Sequence, residues 1–221
     1  MNILEQLETS INGKILNFYI DTIRIEFSLQ YKFKHLETLG KWYKLKKSDF
    51  KYNQIKKRLS KKELATVYQL ENHNIYYFKK KERHYQKAIM VIFGMKQYHK
   101  DPPPRELISQ IVDILTYKVD FKRYRDFEID LCFDTVAKPN FENIAKYFIT
   151  DIVSSDRGYT CYINSPNLLM IRSVCIYDKA SKNSLLAPLW RYEATIHIPN
   201  PKELNLPIDD FIDIIQKGMK Q

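Results

Sequence analysis

The chain has 221 residues, of which 44% are hydrophobic, and it contains 16 Tyr and 12 Phe. This composition excludes a disordered chain and allows one sizeable core, and no apolar run approaches the ~18 residues of a membrane span. The formal net charge is +10, and residues 41–100 alone hold 17 Lys and Arg against 4 Asp and Glu. Positive charge concentrated in one segment predicts a polyanionic partner.

Apolar periodicity predicts five helices and seven strands. One helix depends on Ser60 and Glu63, which form a capping-box pattern. The order of elements predicts an α+β chain with a mainly antiparallel central sheet and helices packed on one face. Predicted helices cover residues 2–12, 60–71, 105–116, 140–149 and 208–218. Predicted strands cover residues 18–29, 75–78, 88–94, 127–134, 159–164, 171–178 and 190–198.

The basic segment is interpreted as an insertion, residues 41–87, in a single α+β domain of residues 1–221. Its lysines alternate with aromatic residues such as Trp42 and Tyr43, and aromatic rings stack on unpaired bases. A lysine-rich solvated surface with its aromatic residues in the core would look similar, and this alternative stays open. The residues predicted to contact nucleic acid are Lys44, Lys46, Lys47, Lys56, Lys57, Arg58, Lys61, Lys62, Lys79, Lys80 and Lys81.

Two predicted strands, 127–134 and 190–198, alternate apolar with ionisable residues. Side chains two apart on a strand share a face. Carboxylates gathered on one face are costly to keep charged unless the face is solvated, paired or holding a cation. The pattern therefore predicts a candidate site or, more simply, a solvated sheet face. The residues concerned are Glu128, Asp130 and Asp134 on the first strand, and Arg191, Glu193, Thr195 and His197 on the second.

The chain has three cysteines, each in an apolar, strand-like stretch of sequence: Cys132, Cys161 and Cys175. They show no Cys-x-x-Cys spacing, which favours buried free thiols over disulfides or zinc ligands. Free thiols are typical of a reducing compartment, so a cytoplasmic location is expected. The first residues lack a basic region followed by an apolar one, so no secretory signal is expected.

Four short segments follow one another in the order Glu128 to Asp134, Gly158 to Ser165, Cys175 to Lys179 and Trp190 to Glu193. In this order they resemble the rolling-circle replication initiators of small plasmids, the Rep_trans family, and the related relaxases of integrative conjugative elements and some phage initiators. The chain departs from the family pattern at Asn164, at the loop that begins with Ser165, and at Cys175, which replaces an arginine.

The resemblance implies an HUH/RRM-like initiator nuclease core that nicks DNA through a tyrosine hydroxyl, assisted by Mg²⁺ or Mn²⁺. The implied partner is a single-stranded or hairpin DNA origin, and the implied role is to initiate rolling-circle replication or transfer of a plasmid, phage or integrative element. A helicase partner and a homodimer stay open, and no membrane is involved. The implied residues are Tyr177 or Tyr162 as nucleophile, Lys179 and Arg191 for phosphate charge, and Asp130, Asp134, Asp178, Glu193 and Glu26 as metal ligands.

Two alternatives to nicking stay open. One is a non-catalytic DNA-binding replication or regulatory protein on the same scaffold, which would use the basic segment alone. The other is a lysine-rich interaction protein that binds no nucleic acid. The salt dependence of retention on a DNA column separates this interaction protein from a nicking enzyme or a non-catalytic DNA-binding protein, because contacts to phosphates weaken steeply as salt rises.

Overall fold

The computed structural model describes residues 3–11, 16–59, 64–80, 87–95, 101–116, 127–156, 158–165, 168, 170–199, 206 and 208–220. Its helices are α1 Ile3–Ile11, α2 Leu29–Glu37, α3 Phe50–Leu59, α4 Arg105–Thr116, α5 Phe141–Ala145, α6 Lys179–Asn183 and α7 Ile208–Met219. Its strands are β1 Tyr19–Ser28, β2 Trp42–Lys44, β3 Leu64–Leu70, β4 Ile75–Lys80, β5 Lys87–Phe93, β6 Phe127–Thr135, β7 Thr150–Ser155, β8 Gly158–Ile163, β9 Ile171–Asp178 and β10 Trp190–His197.

The described residues fall into two compact units. The first unit comprises Met1–Gln6, Asp21–Phe127 and Pro199–Lys202. The second unit comprises Leu7–Ile20, Glu128–Ile198 and Glu203–Gln221. Each unit is built on antiparallel strands, which confirms the predicted α+β class with a mainly antiparallel sheet.

In the first unit the strand order is β2-β3-β4-β5-β1. Residues of β5 from Ala88 to Phe93 are all buried, because helices contact both faces of these strands. The ring of Phe33 in α2 lies 5.7 Å from that of Tyr77 on one face. Tyr52 and Ile55 of α3 join the apolar cluster on the other. The sequence predicted helices on one face only, whereas in this unit they contact both.

In the second unit the strand order is β6-β10-β9-β8-β7. The apolar face of β6 and β10 carries Phe133 and Tyr192, whose ring centres are 6.0 Å apart. Phe18 joins this layer to α7, since its ring lies 6.2 Å from Phe133 and 5.7 Å from Phe211. The core of the unit is on this side, and the ionisable residues of β6 and β10 are on the other.

Most predicted elements are confirmed to within a few residues, but the helix at 60–71 is wrong. Residues Leu64–Leu70 form β3, which pairs with both β2 and β4. The β-branched pair Thr66 and Val67 suits a strand, and pairing on both edges outweighs a local capping pattern. Ser60 and Glu63, which carried that pattern, lie outside the described residues.

The predicted helix at 140–149 is also too long, because α5 ends at Ala145 and β7 begins at Thr150. Leu29, predicted to continue the first strand, is the first residue of α2. The cysteines are free thiols, as predicted. Among the described residues, no helix is both long and apolar enough to cross a membrane.

Candidate functional site

One face of the sheet in the second unit gathers polar side chains from four strands and is here called the polar face. Strand register decides this, because directly paired residues point to the same side. Asp130 pairs with Thr195 and Cys132 with Glu193, so the two predicted carboxylates Asp130 and Glu193 share the face, as predicted. The polar face consists of Glu128, Asp130, Cys132 and Asp134 of β6, Arg191, Glu193, Thr195 and His197 of β10, Ser173, Cys175 and Tyr177 of β9, and Thr160 and Tyr162 of β8.

Arg191 and Asp134 form a buried ion pair at one end of this face. Arg191 Nε donates to Asp134 Oδ1 at 2.7 Å, and Nη2 donates to Oδ2 at 2.9 Å. Arg191 is 0% exposed, and its guanidinium lies 5.7 Å from the centre of the Tyr19 ring. A buried guanidinium needs such a partner because its desolvation is expensive. The pair thus fixes both residues, and no surface of Arg191 is left for a phosphate.

Tyr177 and Glu193 form the second contact on the face. The Tyr177 hydroxyl donates to Glu193 Oε2 at 2.9 Å, and Cys132 Sγ lies 3.8 Å from the same oxygen. Burial, and then the charge of Glu193, raise the pKa of Tyr177 well above its usual value near 10. The hydroxyl therefore stays protonated and holds the carboxylate. Cys175 of β9 lies opposite Glu193 on the neighbouring strand, and burial and the charge of Glu193 also raise the pKa of its thiol.

Two lysines of α6 lie over the ring of Tyr177. Lys182 Nζ is 4.1 Å from the ring centre, and Lys179 Nζ is 5.9 Å away. Cation–ring contacts of this kind hold an ammonium group in place. Lys182 is exposed, whereas Lys179 is half-buried. The sequence analysis named Lys179 and missed Lys182, because only the turn into α6 brings residue 182 back over the strand.

A third group of contacts lies at the opposite end of β6 and β10. The Thr195 hydroxyl donates to Asp130 Oδ1 at 2.7 Å. Arg172 forms an ion pair with the buried Glu128, and its Nη2 is 3.4 Å from His197 Nδ1. The pairing of β9 with β10 shifts between Thr195 and Ile196, and this bulge leaves Arg172 as the extra residue. The bulge explains how Arg172 reaches the polar face.

The carboxylates predicted as metal ligands do not form one group. Asp178 pairs with Trp190 on the apolar side, and it caps α6 by accepting from the Ser181 N–H at 2.9 Å. Glu26 belongs to the first unit, where it is buried on β1. Among the described residues, no three His, Cys, Asp or Glu side chains lie close enough together to hold a metal ion. The donors as arranged do not fit a preformed Mg²⁺ or Mn²⁺ site.

The two predicted nucleophiles differ in access. Tyr162 is 43% exposed, whereas Tyr177 is 6% exposed. Tyr162 pairs with Cys175 on one side and with Asp151 of the edge strand β7 on the other. Of the two side chains, that of Tyr162 is the one accessible from solvent. Asp151 is a site residue that the sequence analysis missed, because residues 150–155, which form β7, were assigned to no predicted element.

The predicted nucleic-acid contacts belong to the first unit. Lys44, Lys46, Lys47 and Lys79 are exposed. The side chains of Lys56, Lys57, Arg58 and Lys80, and the whole of Lys61, Lys62 and Lys81, lie outside the described residues.

Comparisons with known proteins add little to this geometry. No protein-family model matches the chain, and no curated protein does. The chain is similar to a solved structure titled as a rolling circle replication initiator protein from Geobacillus stearothermophilus, with 13% identity and a TM-score of 0.44. The similarity covers 82% of this chain and 74% of that one. A likeness at this level does not establish a family, so the function depends on the residues of the polar face.

Proposed function

We propose that this chain nicks and rejoins a DNA single strand through Tyr162, and thereby initiates rolling-circle replication or transfer of a mobile element. The observation that carries the proposal is that Tyr162, which is 43% exposed, lies on the same sheet face as Glu193. The lysines of α6 over the Tyr177 ring and the Arg172–Glu128 ion pair add charges on this face. A solvent-accessible nucleophile beside fixed charges is the arrangement that phosphodiester transfer needs.

The reaction forms one bond and breaks another. The Tyr162 oxygen attacks phosphorus, the bond from phosphorus to the 3′ oxygen breaks, and the 5′ phosphate stays on the tyrosine. The tyrosine proton passes to Asp151, which is directly opposite on β7, or to solvent. The released 3′ oxygen takes a proton from solvent. Attack by that 3′ hydroxyl on the phosphotyrosine reverses each step and rejoins the strand.

Phosphate charge in this proposal is assigned to Lys182 in place of Arg191. Arg191 is fully buried and paired with Asp134, whereas Lys182 is exposed above Tyr177. Tyr177 then acts as a positioning residue: it holds Glu193 through its hydroxyl and Lys182 through its ring. The requirement for Mg²⁺ or Mn²⁺ remains a prediction, and since the carboxylates do not form a site, no step is assigned to a metal.

A covalent adduct tests the proposal. The full chain is incubated with single-stranded DNA of random sequence labelled at its 3′ end, with and without Mg²⁺ or Mn²⁺, and resolved on a denaturing gel. Labelled protein is expected from wild type, and none from Tyr162→Phe. Tyr159→Phe is the matched control, because Tyr159 is on the same strand but contacts Phe141, with ring centres 5.0 Å apart, on the apolar side.

Two further results decide the assignments. Lys182→Gln is expected to reduce adduct formation about tenfold or more, as the loss of a charge donor to a reacting phosphate does. Lys138→Gln, at an exposed position on the loop after β6, is expected to change nothing. An adduct that survives Tyr162→Phe would remove Tyr162 from the role.

The second candidate is a DNA-binding protein without catalysis on the same scaffold. The observation that favours it is the engagement of Asp134 and Asp178 in structural contacts away from any common centre. It predicts salt-sensitive DNA binding by wild type with no labelled protein under any metal condition. That outcome would replace the nicking proposal.

A further inference from the structure

Residues 41–51 form a surface of the first unit that combines positive charge with exposed rings; it is called the 41–51 edge. It holds five lysines against one aspartate, which leaves a net charge of +4. All five lysines are exposed: Lys41, Lys44, Lys46, Lys47 and Lys51. The one carboxylate, that of Asp49, accepts the Lys46 N–H at 2.6 Å and so is committed to the turn. An anionic partner would meet little repulsion here.

Two aromatic rings of the edge are exposed although the core nearby is filled. Tyr43 is 48% exposed and Phe50 is 74% exposed. Their neighbours Leu45 and Tyr52 pack on the apolar cluster of β3, β4 and β5. The rings of Tyr43 and Phe50 therefore expose apolar surface to water, and clustered exposed apolar surface is typical of a binding site.

Tyr43 and the helix that begins at Phe50 are on the same side of the strands. Tyr43 pairs with Gln69, and side chains two apart share a face, so Tyr43 lies on the face of Val67 that α3 covers. Phe50 is the first residue of α3. Lys41 Nζ lies 5.1 Å from the centre of the Tyr43 ring, which puts a positive charge next to a stacking surface.

The segment between the rings is held by local hydrogen bonds. The Asp49 N–H donates to the Lys46 carbonyl at 2.9 Å, and the Asn53 N–H donates to the Asp49 carbonyl at 3.2 Å. The Leu45 N–H donates to the Val67 carbonyl at 2.9 Å, which ties the turn to β3. Because the turn between the two rings is ordered, little conformational entropy is lost when a ligand binds to both.

We propose that the 41–51 edge binds single-stranded DNA, with bases stacked on Tyr43 and Phe50 and phosphates next to its lysines. The choice of DNA rests on the proposed function. A single strand fits better than a duplex, because the faces of paired bases are covered by their neighbours, whereas unpaired bases can stack on side chains. An acidic polypeptide would use the lysines but leave the rings without a partner.

Fluorescence anisotropy of the full chain with labelled oligothymidylate tests this proposal, with heparin as a polyanion that has no bases. Tyr43→Ala and Phe50→Ala are each expected to weaken oligothymidylate binding about tenfold, as loss of one stacked base does. Neither is expected to change heparin binding. Tyr147→Ala is the matched control, because Tyr147 is an exposed tyrosine with Lys217 Nζ 4.1 Å from its ring, in the second unit.

The double variant Lys46→Glu with Lys47→Glu tests the lysines. It is expected to weaken the binding of both oligothymidylate and heparin and to make both affinities less dependent on salt concentration. An unchanged Kd for oligothymidylate in the ring variants, an equal loss on heparin, or tighter binding of a duplex would each overturn the proposal. Equal binding of polyglutamate would assign the surface to an acidic protein. Failure of the nicking proposal can be distinguished from failure of this one. Tyr162→Phe is expected to abolish the covalent adduct and to leave oligothymidylate binding, measured by anisotropy, unchanged.

Discussion

Arg191 and Asp134 are joined by two hydrogen bonds between neighbouring strands, and the arginine is fully buried. Two residues that the sequence suggested for phosphate and metal binding thus neutralise each other. Their contact predicts how the unit responds when one charge is removed.

Asp134→Asn is expected to lower the free energy of unfolding by about 3–5 kcal/mol, because it leaves the Arg191 charge buried and uncompensated. Urea unfolding measures this. Asp213→Asn is the control, since the exposed Asp213 pairs with Lys217 at 3.6 Å within one helix and the loss of such a pair costs about 0.5 kcal/mol or less. The double variant Asp134→Leu with Arg191→Met is expected to recover most of the loss, and a double variant as unstable as the single one would contradict the account.

Tyr177→Phe is expected to destabilise the chain by about 1–3 kcal/mol, because the Glu193 carboxylate loses its hydrogen-bond donor. Tyr162→Phe is expected to change stability little, since Tyr162 is 43% exposed and its hydroxyl can be solvated. Melting curves and adduct yields are measured for both variants. Together they separate a positioning role from a nucleophilic role for each tyrosine. A Tyr177→Phe variant with normal stability and no adduct would make Tyr177 the nucleophile instead.

Gly218→Ala tests the contact between α7 and the apolar face of β10. A Cβ on Gly218 would lie 2.3 Å from the Tyr192 hydroxyl and 3.0 Å from Ile144 Cδ1. The expected loss is about 1–3 kcal/mol, as in other overpacked cores. Because no hydrogen bond to the Tyr192 hydroxyl is found among the described residues, Tyr192→Phe removes the clash at little cost. The double variant should therefore be more stable than Gly218→Ala, and strict additivity would argue against the contact.

Stability is expected to fall steeply above pH 10. Burial raises the pKa values of Tyr77, Tyr177 and Tyr192 above the usual value near 10, so the folded chain keeps protons that the unfolded chain loses. Below pH 10 both states are protonated and this contribution is complete. Above it, stability falls by about 1.4 kcal/mol per pH unit for each such tyrosine. Urea midpoints from pH 9 to 11.5 measure the slope, which should be shallower in Tyr177→Phe; an equal slope would contradict the assignment.

The sequence by itself determined the α+β class, most strands and the sides on which their residues lie. Alternation in 127–134 and 190–198 was enough to place Asp130 and Glu193 on one face and Trp190 on the other, because a strand has a fixed period of two. It also located the core strand at 88–94, since a continuous apolar run requires cover on both faces.

Only the tertiary structure decided which of these residues meet. Register between strands placed Asp134 opposite Arg191 and brought Tyr177 within reach of Glu193. Alternation fixes the face on which a residue lies, but it does not say which residue of a distant strand lies opposite. The same long-range pairing made Leu64–Leu70 a strand against a local helix signal and brought β7, with Asp151, beside Tyr162. The tertiary structure also decided the solvent exposure of each side chain, because burial depends on which residues pack over it. Tyr162 is exposed and Tyr177 is buried for this reason.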